Sequence, residues 1–150
     1  MEKATDIINE AFEYYPNDSL VQKQKRFLNF KKNVEVHLPT YKQAMVFYSD
    51  KKYNEALRLL NQFIEKVPDD ANALQMRSFT NYFLKDYNNC IADANASLKL
   101  GSKNSSLINL RGVSYRQISN FDASCEDFKK AMEMGNPSGK TNYERYCIKK

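Results

Sequence analysis

One histidine, three cysteines and a scatter of carboxylates are the side chains with which this chain could do acid–base, nucleophilic or metal chemistry. A nucleophilic triad needs a base beside its nucleophile and a third group to orient that base. The single base, His37, stands beside Leu38-Pro39 in a stretch that reads as a connector. No GxSxG, Walker glycine loop, HExxH or GxGxxG occurs. Cys90, Cys125 and Cys147 form no CxxC, so a zinc site would have to recruit distant ligands. Glu55, Glu65, Asp122 and Glu126 fall at helix starts or on outer faces, where a helix dipole or water is partner enough. This inventory predicts no catalytic residue, no metal and no cofactor.

The elements that would hold any site are helical. The chain has 150 residues, 42% of them hydrophobic, with four Gly and four Pro. That composition favours helices over a turn-rich sheet and suffices for one domain or a short stack of repeats. No run approaches the roughly 18 apolar residues of a membrane span. The opening Met1-Glu2-Lys3-Ala4-Thr5-Asp6 lacks the apolar core of a signal peptide, so the expectation is a cytoplasmic protein, or an exported one whose signal was trimmed. Net charge is +5, densest at Lys23, Lys25, Arg26, Lys31 and Lys32. Acidic residues are interspersed nearly everywhere else, so a solvated helix face outweighs a nucleic-acid stripe.

The chain repeats itself at intervals of 34 residues. Tyr53, Tyr87 and Phe121 form one column, and Ala56, Cys90 and Ser124 a second. Ala44, Ser78 and Gly112 form a third; Leu60, Ala94 and Phe128 a fourth; Ile64, Leu98 and Met132 a fifth. Within each unit an apolar helical pattern meets another across a short polar break: Asp50-Lys51-Lys52, Lys85-Asp86 or Ser119-Asn120. Each unit is therefore a helical hairpin, and a period in this range marks a repeat architecture.

These columns resemble the tetratricopeptide repeat. Taken as units 37–70, 71–104 and 105–138, the chain has small residues at the eighth and twentieth places, where the two helices cross closely. An aromatic wedge opens each second helix, and Pro68 ends the first unit. The resemblance implies an all-α, right-handed α-α superhelix of three hairpins. Residues 1–36 precede them as an N-terminal helical segment, and 139–150 follow as a capping helix. There are departures. Thr40, Leu74 and Ile108 replace the family's first-helix tryptophan, and Gln43, Arg77 and Arg111 its usual leucine. Phe63 stands where a small residue is usual, which implies looser or repacked contact between the first two units.

Arg77 lies sixteen places before Asp93, and Arg111 sixteen before Asp127; the first unit has Gln43 and Leu59 instead. Both charges are present or both absent. That pattern fits shielded pairs, in which losing one partner would strand the other; independent surface charges are the alternative. Paired, these arginines are structural and not ligand-binding.

At the N-terminal end, residues 11–18 imitate 63–70 and read as the second helix of an earlier unit, with Ala4, Ile8, Ala11 and Phe12 on its buried face. Residues 19–33 read as an added helix, and Asn33 to Thr40, with Pro39, as a connector. At the other end, 138–148 reads as a covering helix bearing Tyr143, Tyr146, Cys147 and Ile148. The ending resembles those of bacterial tetratricopeptide proteins with a C-x-D-F/W-x-K-A helix, an E-L-G-N turn and a terminal Y-C, here Cys125 to Ala131, Glu133 to Asn136 and Tyr146-Cys147. That resemblance makes Cys125 and Cys147 either a disulfide or two buried thiols. A disulfide would imply a periplasmic or other exported setting.

In this family first helices line a concave groove. The inward places carried over here include Tyr41, Met45 and Tyr48; Gln75, Phe79 and Tyr82; and Asn109, Val113 and Arg116. The ninth place is apolar each time. Such a surface implies a non-catalytic interaction module taking a peptide or partner helix, apolar side chains supplying affinity and amides fixing orientation. One branch of the family grips a C-terminal carboxylate with Lys, Asn and Arg. Tyr41, Met45, Met76, Ser106 and Leu110 occupy the corresponding places, so that ligand would lose water without gaining a charged donor. The alternatives are a structural piece whose groove its own N-terminal helices fill, and RNA binding through 19–33. Oligomeric state is not legible.

Overall fold

The computed structural model describes residues 2–148. Among them lie eight α-helices and no strand: α1 (Glu2–Tyr14), α2 (Ser19–Ser49), α3 (Tyr53–Lys66), α4 (Ala71–Phe83), α5 (Tyr87–Lys99), α6 (Ser105–Gln117), α7 (Phe121–Glu133) and α8 (Pro137–Tyr146). The chain divides into two units between Pro39 and Thr40.

In the first unit, α1 carries Ala11 and Phe12 half-buried, with the Lys25 ammonium 3.5 Å from the Phe12 ring centroid. The expected inward side chains Ala4 and Ile8 lie outside the described residues. The connector expected at Asn33 to Thr40 does not exist: α2 runs unbroken from Ser19 to Ser49 with Pro39 inside it. Proline lacks the N–H that would bond the carbonyl four residues back. That carbonyl belongs to Glu35, an exposed residue, so water can take the orphaned acceptor. His37 is accordingly a helical residue.

From Thr40 onward, the C-terminal part of α2 packs on α3 through Ala44 and Leu60 and through Tyr41 and Phe63, while α4 pairs with α5 and α6 with α7. The hairpins stack as a right-handed superhelix, and α8 packs on α7 and α6. Local chemistry repeats with the period. Lys51, Lys85 and Ser119 adopt φ of 60°, 62° and 62°, the left-handed turn that reverses the chain inside each hairpin. Each turn is closed alike, the next residue's N–H reaching back to Phe47, Asn81 or Tyr115 carbonyl at 2.8, 2.9 and 2.9 Å. Asp70 and Asn104 cap the first helices α4 and α6, while Asp86 and Asn120 cap the second helices α5 and α7 through their side-chain oxygens. The wedge residues Tyr53, Tyr87 and Phe121 each begin a second helix straight after such a turn.

At the first and third crossings, bulk on one helix is matched by its lack on the other. Ala44 faces Leu60 in the first hairpin's core. In the third, Gly112 faces Phe128, the largest residue of its column and fully buried. A Cβ on Gly112 would lie 2.9 Å from the Phe128 ring and 3.0 Å from Asp127 Cβ. Gly112→Ala therefore lowers stability by about 1–2 kcal/mol, overpacking outweighing the ~1 kcal/mol of helix propensity gained. Urea unfolding checks this, and the loss should largely vanish when Phe128→Leu is added.

Phe63 is 1% exposed and its ring meets Tyr41 at 5.2 Å between centroids. This oversized residue is thus accommodated within its own hairpin. At the C-terminal end, Ile148 lies beyond α8, which stops at Tyr146, and is 52% exposed rather than buried as cover. The covering contact comes from Gly139, buried against Ala131.

Candidate functional site

The nine residues predicted for the groove sit on three successive first helices: Tyr41, Met45 and Tyr48 on α2, Gln75, Phe79 and Tyr82 on α4, Asn109, Val113 and Arg116 on α6. All nine are half-buried. Spacings of three and four residues hold each trio on one flank of its helix.

Packing anchors the end of each trio. Tyr48 and Tyr82 meet the wedge aromatics Tyr53 and Tyr87 edge-on, at 5.7 and 6.0 Å between centroids. In the third hairpin Arg116 takes that place, its guanidinium carbon 5.5 Å from the Phe121 ring centroid. Phe83 stacks face to face on Tyr53 at 4.7 Å while remaining 47% exposed, which ties the first hairpin to the second. Burial, and for Tyr41 next the charge of Asp70, raises the phenols of Tyr41, Tyr48 and Tyr82 above their ordinary values. These tyrosines therefore stay neutral near pH 7, as hydrogen-bonding groups on an apolar body.

The amides are partly engaged already. Asn142 on α8 donates to the Asn109 carbonyl at 2.9 Å, and Ser102 Oγ donates to the Gln75 carbonyl at 3.4 Å. Asn109 and Gln75 are thereby oriented.

Arg77 and Arg111 lie two residues from groove positions, about 200° round their helices, and their charge is spent on structure. Arg77 Nε and Nη2 donate to Asp93 at 2.8 and 2.6 Å; Arg111 does the same to Asp127 at 2.8 and 2.6 Å. The hydrogen bonds that Arg111 donates to Asp127 hold its guanidinium above its ordinary value. Each arginine also reaches back to the preceding hairpin, Arg77 to Asn61 Oδ1 and Arg111 to Asn95 Oδ1. Those asparagines were missed by sequence reasoning, although they stand one period apart and sixteen residues before their arginines.

Cys90 is buried, with its sulfur 3.1 Å from Ser114 Oγ and 3.4 Å from Ser78 Oγ, and burial pushes its thiol up. It is a packing residue poorly suited to act as a thiolate. Cys125 and Cys147 are joined as a disulfide with Cα atoms 5.6 Å apart. Among the described residues no cluster of His, Cys, Asp and Glu could hold a metal ion, and no helix is long and apolar enough to cross a membrane.

No family model matches the chain. Among curated proteins it resembles the SGT1 homologues of Bos taurus, 28% identical over 81 residues, and Homo sapiens, 29% over 90 residues. These matches cover 54% and 60% of this chain but only 24% and 25% of the relatives, so the chain spans about a quarter of their length. Both relatives are eukaryotic. Among solved structures, the Arabidopsis OM64 tetratricopeptide domain superposes with a TM-score of 0.72 at 19% identity, covering 77% of this chain and 97% of that one. The second such domain of human RPAP3, solved in complex with the HSP70 peptide SGPTIEEVD, gives 0.71 at 17%, covering 78% and 99%. The Sgt2 domain of Aspergillus fumigatus gives 0.64 at 18%, covering 72% and 74%. With the 34-residue columns and the repeated turns, these superpositions show that the chain has the tetratricopeptide-repeat fold.

Proposed function

We propose that this chain is a non-catalytic interaction module whose first-helix face, on α2, α4 and α6, takes an apolar peptide segment or partner helix. The observation that supports it most is the recurrence of Met45, Phe79 and Val113 at one place in three hairpins, half-buried and bordered by neutral tyrosines and oriented amides. Apolar side chains of a ligand gain by covering them. A bound backbone finds donors and acceptors in Gln75 and Asn109.

The ligand differs in class from the acidic peptide SGPTIEEVD in the RPAP3 complex. Tyr41, Met45, Met76, Ser106 and Leu110 offer no cation to a terminal carboxylate, and Arg77 and Arg111 are bound to Asp93 and Asp127. Fluorescence anisotropy separates the two classes. Labelled SGPTIEEVD should show no saturable binding up to millimolar concentration, whereas amphipathic helical peptides with leucines at i, i+3, i+4 and i+7 should saturate at micromolar levels. The opposite ranking refutes the reading. The bridged Cys125 and Cys147 favour an oxidising compartment for the protein.

A further inference from the structure

Contacts of two kinds hold α8. Its N-terminal part is fixed by shape and amides. Gly139 is buried so closely that a Cβ would lie 2.7 Å from Ala131 Cβ and 3.0 Å from Met132 N. Asn136 accepts from Gly139 N at 2.8 Å and donates to the hydroxyls of Ser105 and Ser106 at 3.4 and 3.3 Å, while Asn142 donates to Asn109. The C-terminal turn has none of this. Glu144, Arg145 and Tyr146 are exposed, and the turn is tied down by the Cys125–Cys147 bond and by the Tyr146 ring. That ring lies 6.3 Å from Phe128 between centroids, with the Arg116 guanidinium carbon 3.9 Å from its centre. Both cysteines are half-buried, and Cys125 borders an open recess lined by Asp122, Glu126, Lys129 and Tyr143.

We propose that the Cys125–Cys147 bond is a reducible latch on the last turn of α8, opened by a dithiol reductant entering at this recess. One thiolate of the reductant attacks Cys125 Sγ, the S–S bond breaks, and Cys147 leaves as a thiolate that takes up a proton. The reductant's second thiol then attacks the mixed disulfide and releases Cys125 as a thiol. Two electrons and two protons pass to the protein, and the reductant ends as a disulfide. Without the tether, the final turn of a ten-residue helix lacks the packing that short helices need, and it frays. Tyr146 leaves with it, so Arg116 at the end of the first-helix face loses the nearer of its two aromatic neighbours and keeps only the Phe121 ring. The latch thus couples thiol redox state to one end of that face, whatever the face binds.

Hydrogen exchange read by mass spectrometry on the full chain tests this, comparing oxidised protein, protein treated with dithiothreitol, and the double variant Cys125→Ser/Cys147→Ser. Amides of residues 143–147 should exchange at least tenfold faster in the latter two, with those of 140–142 unchanged. Cys90→Ala should respond to dithiothreitol as the parent does. Unchanged exchange at 143–147, a bond that dithiothreitol reduces only after unfolding, or deprotection spreading through α7 would each overturn the latch.

Discussion

Asp127→Ala should cost about 3–5 kcal/mol, because it leaves the Arg111 guanidinium charged with its side chain only 17% exposed. Arg111 spends Nε and Nη2 on Asp127 and Nη1 on Asn95, so the single change strands two of its donors. The chain carries its own control. The first hairpin solves the same position with Gln43 and Leu59, and with Phe47 where the third has Tyr115. Arg111→Gln/Asp127→Leu transplants that solution and leaves Asn95, an exposed residue, to water. The double variant should lose no more than about 1 kcal/mol, since buried pairs are often replaceable by apolar residues at little cost. Urea midpoints at constant slope give both values and their coupling. Additive losses would mean the charges act independently.

The pairs were legible before any coordinates because they obeyed two constraints at once, a sixteen-residue separation and joint presence or absence. The hairpins were legible for a related reason: each column had to satisfy the same local geometry three times. Small residues mark helix crossings, and wedge aromatics follow each turn. Where the chain departs from its period, legibility fails. Pro39 suggested a break, because local propensity carries no information about a helix whose orphaned carbonyl faces water. Ile148 was counted as apolar cover because hydrophobicity alone does not say where a helix ends. Gly139 went unread as a contact residue because glycine gives no apolar signal, although its missing side chain is what brings α8 against Ala131. Asn142 was invisible as well, since an amide paired across 33 residues has no counterpart in the other units.

The groove residues form a middle case. Their placement on α2, α4 and α6 follows from spacing, but the engagement of their ends does not. Tyr48, Tyr82 and Arg116 lean on wedge aromatics, so in the proposed interaction the central residues Met45, Phe79 and Val113 would carry affinity. Of these, Phe79 has the largest side chain and sits on the middle helix, flanked by Gln75 and Tyr82. A glutamate there would put an unpaired carboxylate against the apolar face of any ligand covering it. Because Phe79 is half-buried rather than part of the core, the substitution leaves the hairpin's own packing largely in place.

The decisive measurement is peptide affinity with and without Phe79→Glu. Twelve-residue peptides are selected by display on the parent chain, their dissociation constants are measured on both proteins by isothermal calorimetry, and helicity at 222 nm is recorded alongside. A ligand-covering first-helix face predicts a loss of about thirtyfold or more, the scale of an interface hot spot, with helicity unchanged. Equal affinity for the two proteins would contradict it.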